Sequence, residues 1–166
     1  MRWLVDGYNV IRRSPDLHAR EEVSLQEGRA ALCRLLAAAA GRSGDQFTVV
    51  FDGAQGGGSA SGGPWVRVVF SSGRETADQV LARLAGAGDA VVSNDREVRR
   101  AAASAGAIAI AADEFLSRLR HTASPNLPDT EETEEGLSRR PKKGNPRRPS
   151  KKARAAARAL GRLRRR

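Results

Sequence analysis

Cysteine is almost absent from this 166-residue sequence, with Cys33 as its only representative. A single thiol closes no internal disulfide and builds no cysteine-based zinc site, so no disulfide-linked partner is expected. Histidine is nearly as scarce, at positions 18 and 121 only, and any bound metal must therefore be held mainly by oxygen. Long apolar runs are missing as well. None approaches the roughly 20 residues that a membrane-spanning helix needs, and the N-terminus lacks the basic, apolar and small-residue succession of a secretory signal. These absences lead us to expect a cytoplasmic protein with no membrane partner.

The formal net charge of +10 conceals a division. Residues 139–166 carry 14 of the 29 Lys and Arg and no acid, which leaves 15 basic against 19 acidic residues in the first 138, a net of −4. All four lysines (Lys142, Lys143, Lys151 and Lys152) lie in that basic segment. The chain reads as a near-neutral body with a polycation attached.

Within the body, short apolar runs suited to strands occur at 3–5, 47–51, 65–70, 90–92 and 107–110. Helical patterns fall between most of them, at 25–40, 76–87, 95–105 and 113–121, and Ser24 with Glu27 has the spacing of a capping box. Strands alternating with helices imply right-handed crossovers and a sheet covered on both faces. The expected fold is a three-layer α/β domain over residues 1–121, with a mostly parallel five-stranded sheet. The Gly-rich stretch 53–64 contains no Gly-Lys-Ser/Thr and precedes no helix, so it reads as a solvated connector rather than a phosphate loop. Residues 122–149 combine prolines, an acidic block and a basic block, the composition of a disordered linker.

In parallel sheets ligands bind outside the carboxyl ends of the strands. There the sequence places Asp6 ("VDGYN"), Asp52 ("VVFDG") and Asp95 ("VVSND"), while Asp78 follows the third strand in "SSGRETADQV", one turn beyond Glu75. Taken singly, each is ordinary turn or helix-cap chemistry. Taken together in one crevice, they would repel and raise one another's pKa, an objection that a divalent cation removes. Mg²⁺ and Mn²⁺ prefer oxygen ligands and suit phosphodiester chemistry. Asn9 adds a neutral oxygen and an NH₂ donor, and Gly7 allows close backbone approach. Spacing leaves both readings of Asp6 open.

"VDGYNVI", "VVFDG", "VVFSSGRETAD" and "VVSND", in that order, resemble the YacP-like NYN domain family of PIN-like ribonucleases over about residues 1–120. The resemblance implies a PIN-like, Rossmann-like α/β fold and a metal-dependent endoribonuclease using Mg²⁺ or Mn²⁺. Its acidic site would comprise Asp6, Asn9, Asp52, Asp78 and Asp95, with Asp6, Asp78 and Asp95 as the metal ligands. Ser93 is a supporting contact, and Asn9, Ser93 and Arg74 are candidates to touch substrate. The sequence departs from the usual pattern at Asn94, where Ser is common, and at Gln79, where an acid is common. The alternative is a non-catalytic RNA-binding module on the same fold.

Other residues have plainer readings. Cys33, among Leu32, Leu35 and Leu36, is core filler. His18 and His121 belong to the surface, Tyr8 to packing, and Trp3 and Trp65 to the core. Asp113 and Glu114 favour a helix dipole. In the tail, "SKKARAAARALGRLRRR" (150–166) sets Ala156, Ala159, Leu160 and Leu163 at helical spacing, a stripe too small to fold alone. The expectation is an arm that becomes helical on RNA, with ribosomal RNA a candidate partner.

Overall fold

The structure, a computed structural model, describes residues 1–53, 62–123 and 149–163, with the backbone alone at 121–123. The elements in chain order are β1 (Arg2–Asp6), α1 (Gly7–Arg13), α2 (Pro15–Val23), α3 (Leu25–Ser43), β2 (Gln46–Phe51), β3 (Val66–Phe70), α4 (Ala77–Leu84), β4 (Ala90–Val92), α5 (Arg96–Ser104), β5 (Ile108–Ile110), α6 (Ala112–Ala123) and α7 (Lys151–Arg162). The five strands form one sheet in the order β3-β2-β1-β4-β5, and every pair is parallel.

Side chains alternate across a strand with period two, and here both faces are apolar. Trp3, Val5, Phe47, Val49, Phe51, Ala90 and Val92 enter one core with Leu32 and Leu36 of α3 and Phe115 and Leu116 of α6. Leu4, Val50 and Val91 enter the other with Val80 and Leu81 of α4 and Val98 of α5. Burial on both faces explains why the strands read as continuous apolar runs. Trp3 anchors the larger core, its ring centre 6.0 Å from that of Phe47 and 5.4 Å from that of Phe115. Cys33 is buried there, and burial pushes its thiol pKa up.

The chain winds from β1 outward to β2 and β3, then crosses back to place β4 and β5 on the other side of β1. That reversal puts a crevice between the carboxyl ends of β1 and β4, the place where such sheets bind ligands.

The structure differs from the sequence reading in three places. The stretch 7–23, for which the sequence pattern suggested no element, forms two helices. Pro15 opens α2, where its missing N–H costs nothing. Trp65 is 45% exposed just before β3 rather than in the core. The third difference is α7, which is already formed: Ala156, Ala159, Leu160 and Leu163 are buried in the larger core, and Leu160 O accepts from Arg118 Nε at 3.2 Å. The stripe that could not fold alone is stabilised by burying itself on the domain, so a boundary at residue 121 does not separate this helix from the core. Most of the expected linker, and residues 54–61 of the Gly-rich loop, lie outside the described residues.

Candidate active site

Asp6 ends β1 and caps α1 in one step: its Oδ1 accepts from the Asn9 N–H at 3.2 Å. Its Oδ2 accepts from Ser93 Oγ at 2.9 Å, and Ser93 Oγ in turn accepts from the Asp95 N–H at 3.0 Å. Ser93 is fully buried. Its hydroxyl therefore ties the end of β1 to the loop after β4 and positions Asp6, with no surface left for substrate. Gly7 has a packing reason: a Cβ there would strike the Phe51 ring.

Asp95 caps α5, accepting from the Glu97 N–H at 2.7 Å and the Val98 N–H at 3.1 Å. Asp52 is turned toward the third strand's exit, where Ser71 Oγ donates to its Oδ1 at 2.6 Å and the Ala77 N–H at 3.3 Å. Asp78 stands in the first turn of α4 with no hydrogen bond or ion pair among the described residues. Arg74 is exposed in the turn before α4.

Electrostatics gathers these groups. The Asp6 carboxyl pKa is raised, first by burial and further by the charges of Asp78 and Asp95, against the pull of the Asn9 N–H and Ser93 hydroxyl. The Asp78 pKa is also raised, by partial burial of the carboxyl and then by Asp95, Asp52 and Glu97. Asp52 goes the other way, chiefly because of Ser71, and stays ionised to lower pH. Asp78 is thus the carboxylate on which the others converge. No basic side chain among the described residues forms an ion pair with Asp6, Asp52, Asp78 or Asp95.

Three contributors escaped the sequence reading. Ser71, buried behind Asp52, was visible only as one of two serines after β3. Glu97 reaches the rim from α5. Asn94, noted only as a departure, accepts from the Ala112 N–H at 2.8 Å, donates to Asp113 Oδ2 at 2.6 Å, and gives its own N–H to Asn9 Oδ1 at 3.0 Å. It fastens the start of α6 to the rim. Gln79, the other departure, completes a capping box with Thr76 and steadies the turn that carries Asp78.

The donor set consists of carboxylate oxygens with no thiol or imidazole, which fits a hard cation. Among the described residues no three His, Cys, Asp or Glu side chains are grouped to close a cage around an ion.

Residues 3–158 match the profile of the YacP-like NYN domain. The chain belongs to the YacP-like NYN domain family. That family is a nuclease-like, RNA-related domain of ribonuclease type. Two crystal structures of Rae1 (YacP) from Bacillus subtilis, one of them a mutant form, are similar at 28% identity with TM-scores of 0.62 and 0.59. Each likeness covers 72% of this chain and 74% of the other. No curated protein matches. The NYN match runs through most of α7, in keeping with the burial of that helix on the domain.

Apo stability should carry the signature of this site. Asp6 and Asp78 hold protons more tightly in the native protein than in the unfolded chain. From the ordinary carboxylate range upward the native state then binds more protons, so stability falls as pH rises through the raised values, and the full penalty applies at neutral pH. In EDTA, Asp78→Asn is expected to melt above wild type at pH 7, and the difference should close near pH 3. A variant that melts well below wild type at pH 7 would make Asp78 a structural residue.

Proposed function

We propose that this NYN domain is a Mg²⁺- or Mn²⁺-dependent endoribonuclease that hydrolyses RNA phosphodiester bonds. One observation carries the reading: at the β1/β4 crevice the charges of Asp78 and Asp95 add to burial in raising the pKa of Asp6, those of Asp95 and Asp52 add to burial in raising the pKa of Asp78, and no basic side chain is paired to these acids among the described residues. A fold does not retain mutual repulsion at a strand-end crevice to its own advantage, and a divalent cation turns the repulsion into binding.

In this reading Asp6, Asp78 and Asp95 hold the ion. The chemistry a bound ion supplies is polarisation of the phosphate, hydroxide at neutral pH and stabilisation of the leaving oxygen. Asp52, held ionised by Ser71, orients water. Asn9 has its carbonyl engaged by the Asn94 N–H, so its NH₂ is the part that can donate to a phosphate oxygen. Arg74 offers a cation at the exposed edge, and Ser93 acts on substrate only through Asp6. RNA is drawn in by the basic segment, in which α7 exposes Lys151, Lys152, Arg154 and Arg158. Ribosomal RNA is one such partner, and the setting is cytoplasmic mRNA decay or RNA processing near the ribosome.

The test is the full chain with 5′-labelled single-stranded RNA in Mg²⁺, Mn²⁺ or EDTA. Internal cleavage is expected with either metal and none in EDTA. Cleavage at full rate in EDTA ends the metal mechanism. Tight binding with no cleavage in either metal replaces the nuclease with the RNA-binding module.

A further inference from the structure

Arg29 is the only arginine buried among the described residues. α3 carries it to the carboxyl ends of β2 and β3, where its guanidinium lies over the rings of Phe51 (5.6 Å) and Phe70 (5.1 Å). Those rings immediately precede Asp52 and Ser71. No carboxylate pairs with Arg29 among the described residues. Ring faces replace only part of a cation's lost hydration, so the position retains an uncompensated positive charge beside an acidic crevice.

Among the described residues the one side-chain hydrogen-bonding partner of Arg29 is Tyr8. Tyr8 Oη accepts from Arg29 Nε at 2.9 Å and from Arg29 Nη2. The phenol is a donor as well as an acceptor, and no described residue accepts its proton. Arg12, one helical turn along α1 and exposed, places a second guanidinium 5.6 Å from the centre of the same ring, with that of Arg29 at 5.5 Å. With two guanidiniums over the ring, the hydroxyl rather than the ring face is left for a ligand. A buried cation without an anion, an exposed cation and an unassigned O–H donor all call for one chemistry, an anionic oxygen. Tyr8 lies between Gly7 and Asn9, so this group adjoins the carboxylates without belonging to them.

We propose that Tyr8, Arg12 and Arg29 form a phosphate subsite that grips the backbone of single-stranded RNA next to the phosphate at the carboxylates. The proposal rests on RNA as the substrate and supplies what the acidic crevice lacks, an attraction that fixes the strand's register. Arg12 and the Tyr8 hydroxyl contact the phosphate. Arg29 is a positioning residue that orients Tyr8 and lends its charge from behind.

The test measures binding in EDTA, by fluorescence anisotropy of a labelled single-stranded RNA on the full chain across a KCl series. Arg12→Gln should weaken binding about fivefold and make the log–log salt slope shallower by roughly 0.7, the value of one phosphate contact on a single strand. Arg12→Lys should restore the slope. Tyr8→Phe, which keeps the ring, should weaken binding by about threefold with the slope unchanged, as loss of a neutral donor does. Wild-type affinity and slope in both Arg12→Gln and Tyr8→Phe overturn the subsite, as does an Arg12 loss that Lys does not restore. If wild type fails to cleave in Mg²⁺ and Mn²⁺ while these binding losses persist, the nuclease reading falls and the subsite stands.

Discussion

Asp78→Asn is expected to reduce RNA cleavage by about 10²–10³-fold, because metal-ion stabilisation of a phosphoryl transition state is worth several kcal/mol and each 1.36 kcal/mol is a factor of ten. Asp78 is the sharpest probe because, among the described residues, its side chain makes no hydrogen bond that the substitution would break. Its charge is felt at Asp6, and the charges of Asp95, Asp52 and Glu97 are felt in return. Asp95→Asn should show a comparable loss with the fold intact, since Asn replaces Asp well at a helix N-cap. Asp6→Asn is less clean: one of its two acceptors becomes a donor facing Ser93. Initial rates in saturating Mn²⁺, with melting curves alongside, decide the matter. Wild-type rates in both Asp78→Asn and Asp95→Asn would remove these carboxylates from the chemistry. Added Mn²⁺ should also raise the melting temperature of wild type more than that of Asp78→Asn, by mass action on the native state.

Removal of α7 should have the largest effect on stability. A tail that acted only as an RNA arm could be deleted without cost to the domain. Here Leu163 is fully buried, Leu160 is nearly so, and both belong to the core that holds Trp3, Phe47 and Phe115. Leu163→Ala alone is expected to cost about 2–5 kcal/mol through lost burial and the cavity left behind. At about 2–4 °C per kcal/mol for a domain of this size, the melting temperature should fall by several degrees or more. Deletion of residues 149–166 should cost more still and expose the apolar surface of β5 and α6 to aggregation. Charge reversal of the exposed Lys151 and Lys152 should leave melting within about 0.5 kcal/mol of wild type, as surface substitutions do, while weakening RNA binding. A deletion that melts like the full chain would show that α7 is not part of the core.

The strands were legible because the physical signal is local. "WLV", "FTVVF" and "AVV" are short, β-branched and apolar on both sides, which only a doubly covered sheet accommodates, and the observed strands differ from the expected ones by a residue or two at their ends. The helical periodicity of 25–40 and of 95–105 likewise survives as α3 and α5. The topology rule for parallel sheets then sufficed to bring Asp6, Asp52, Asp78 and Asp95 to one rim. Each of those acids ends or follows a strand, and parallel strands all end on the same side.

What the sequence alone could not settle depended on partners distant along the chain. The α1–α2 stretch carries no clear helical signal because Gly, Asn and Ser–Pro are weak helix residues, and packing against α3 and the sheet overrides that preference. Arg29 looks like any charge on an amphipathic helix until Tyr8, Phe51 and Phe70 close around it. Ser93 and Ser71 are small hydroxyls until burial shows which carboxylate each one holds. The tail shows most clearly why. Four small apolar residues in a run of cations carry too little surface to order a helix alone, and the same four are enough once a core shaped by residues 1–120 receives them. Local pattern determined the sheet and the rim of acids; which side chains are buried, paired or left without a partner is a property of contacts between segments, and only the tertiary structure decided it.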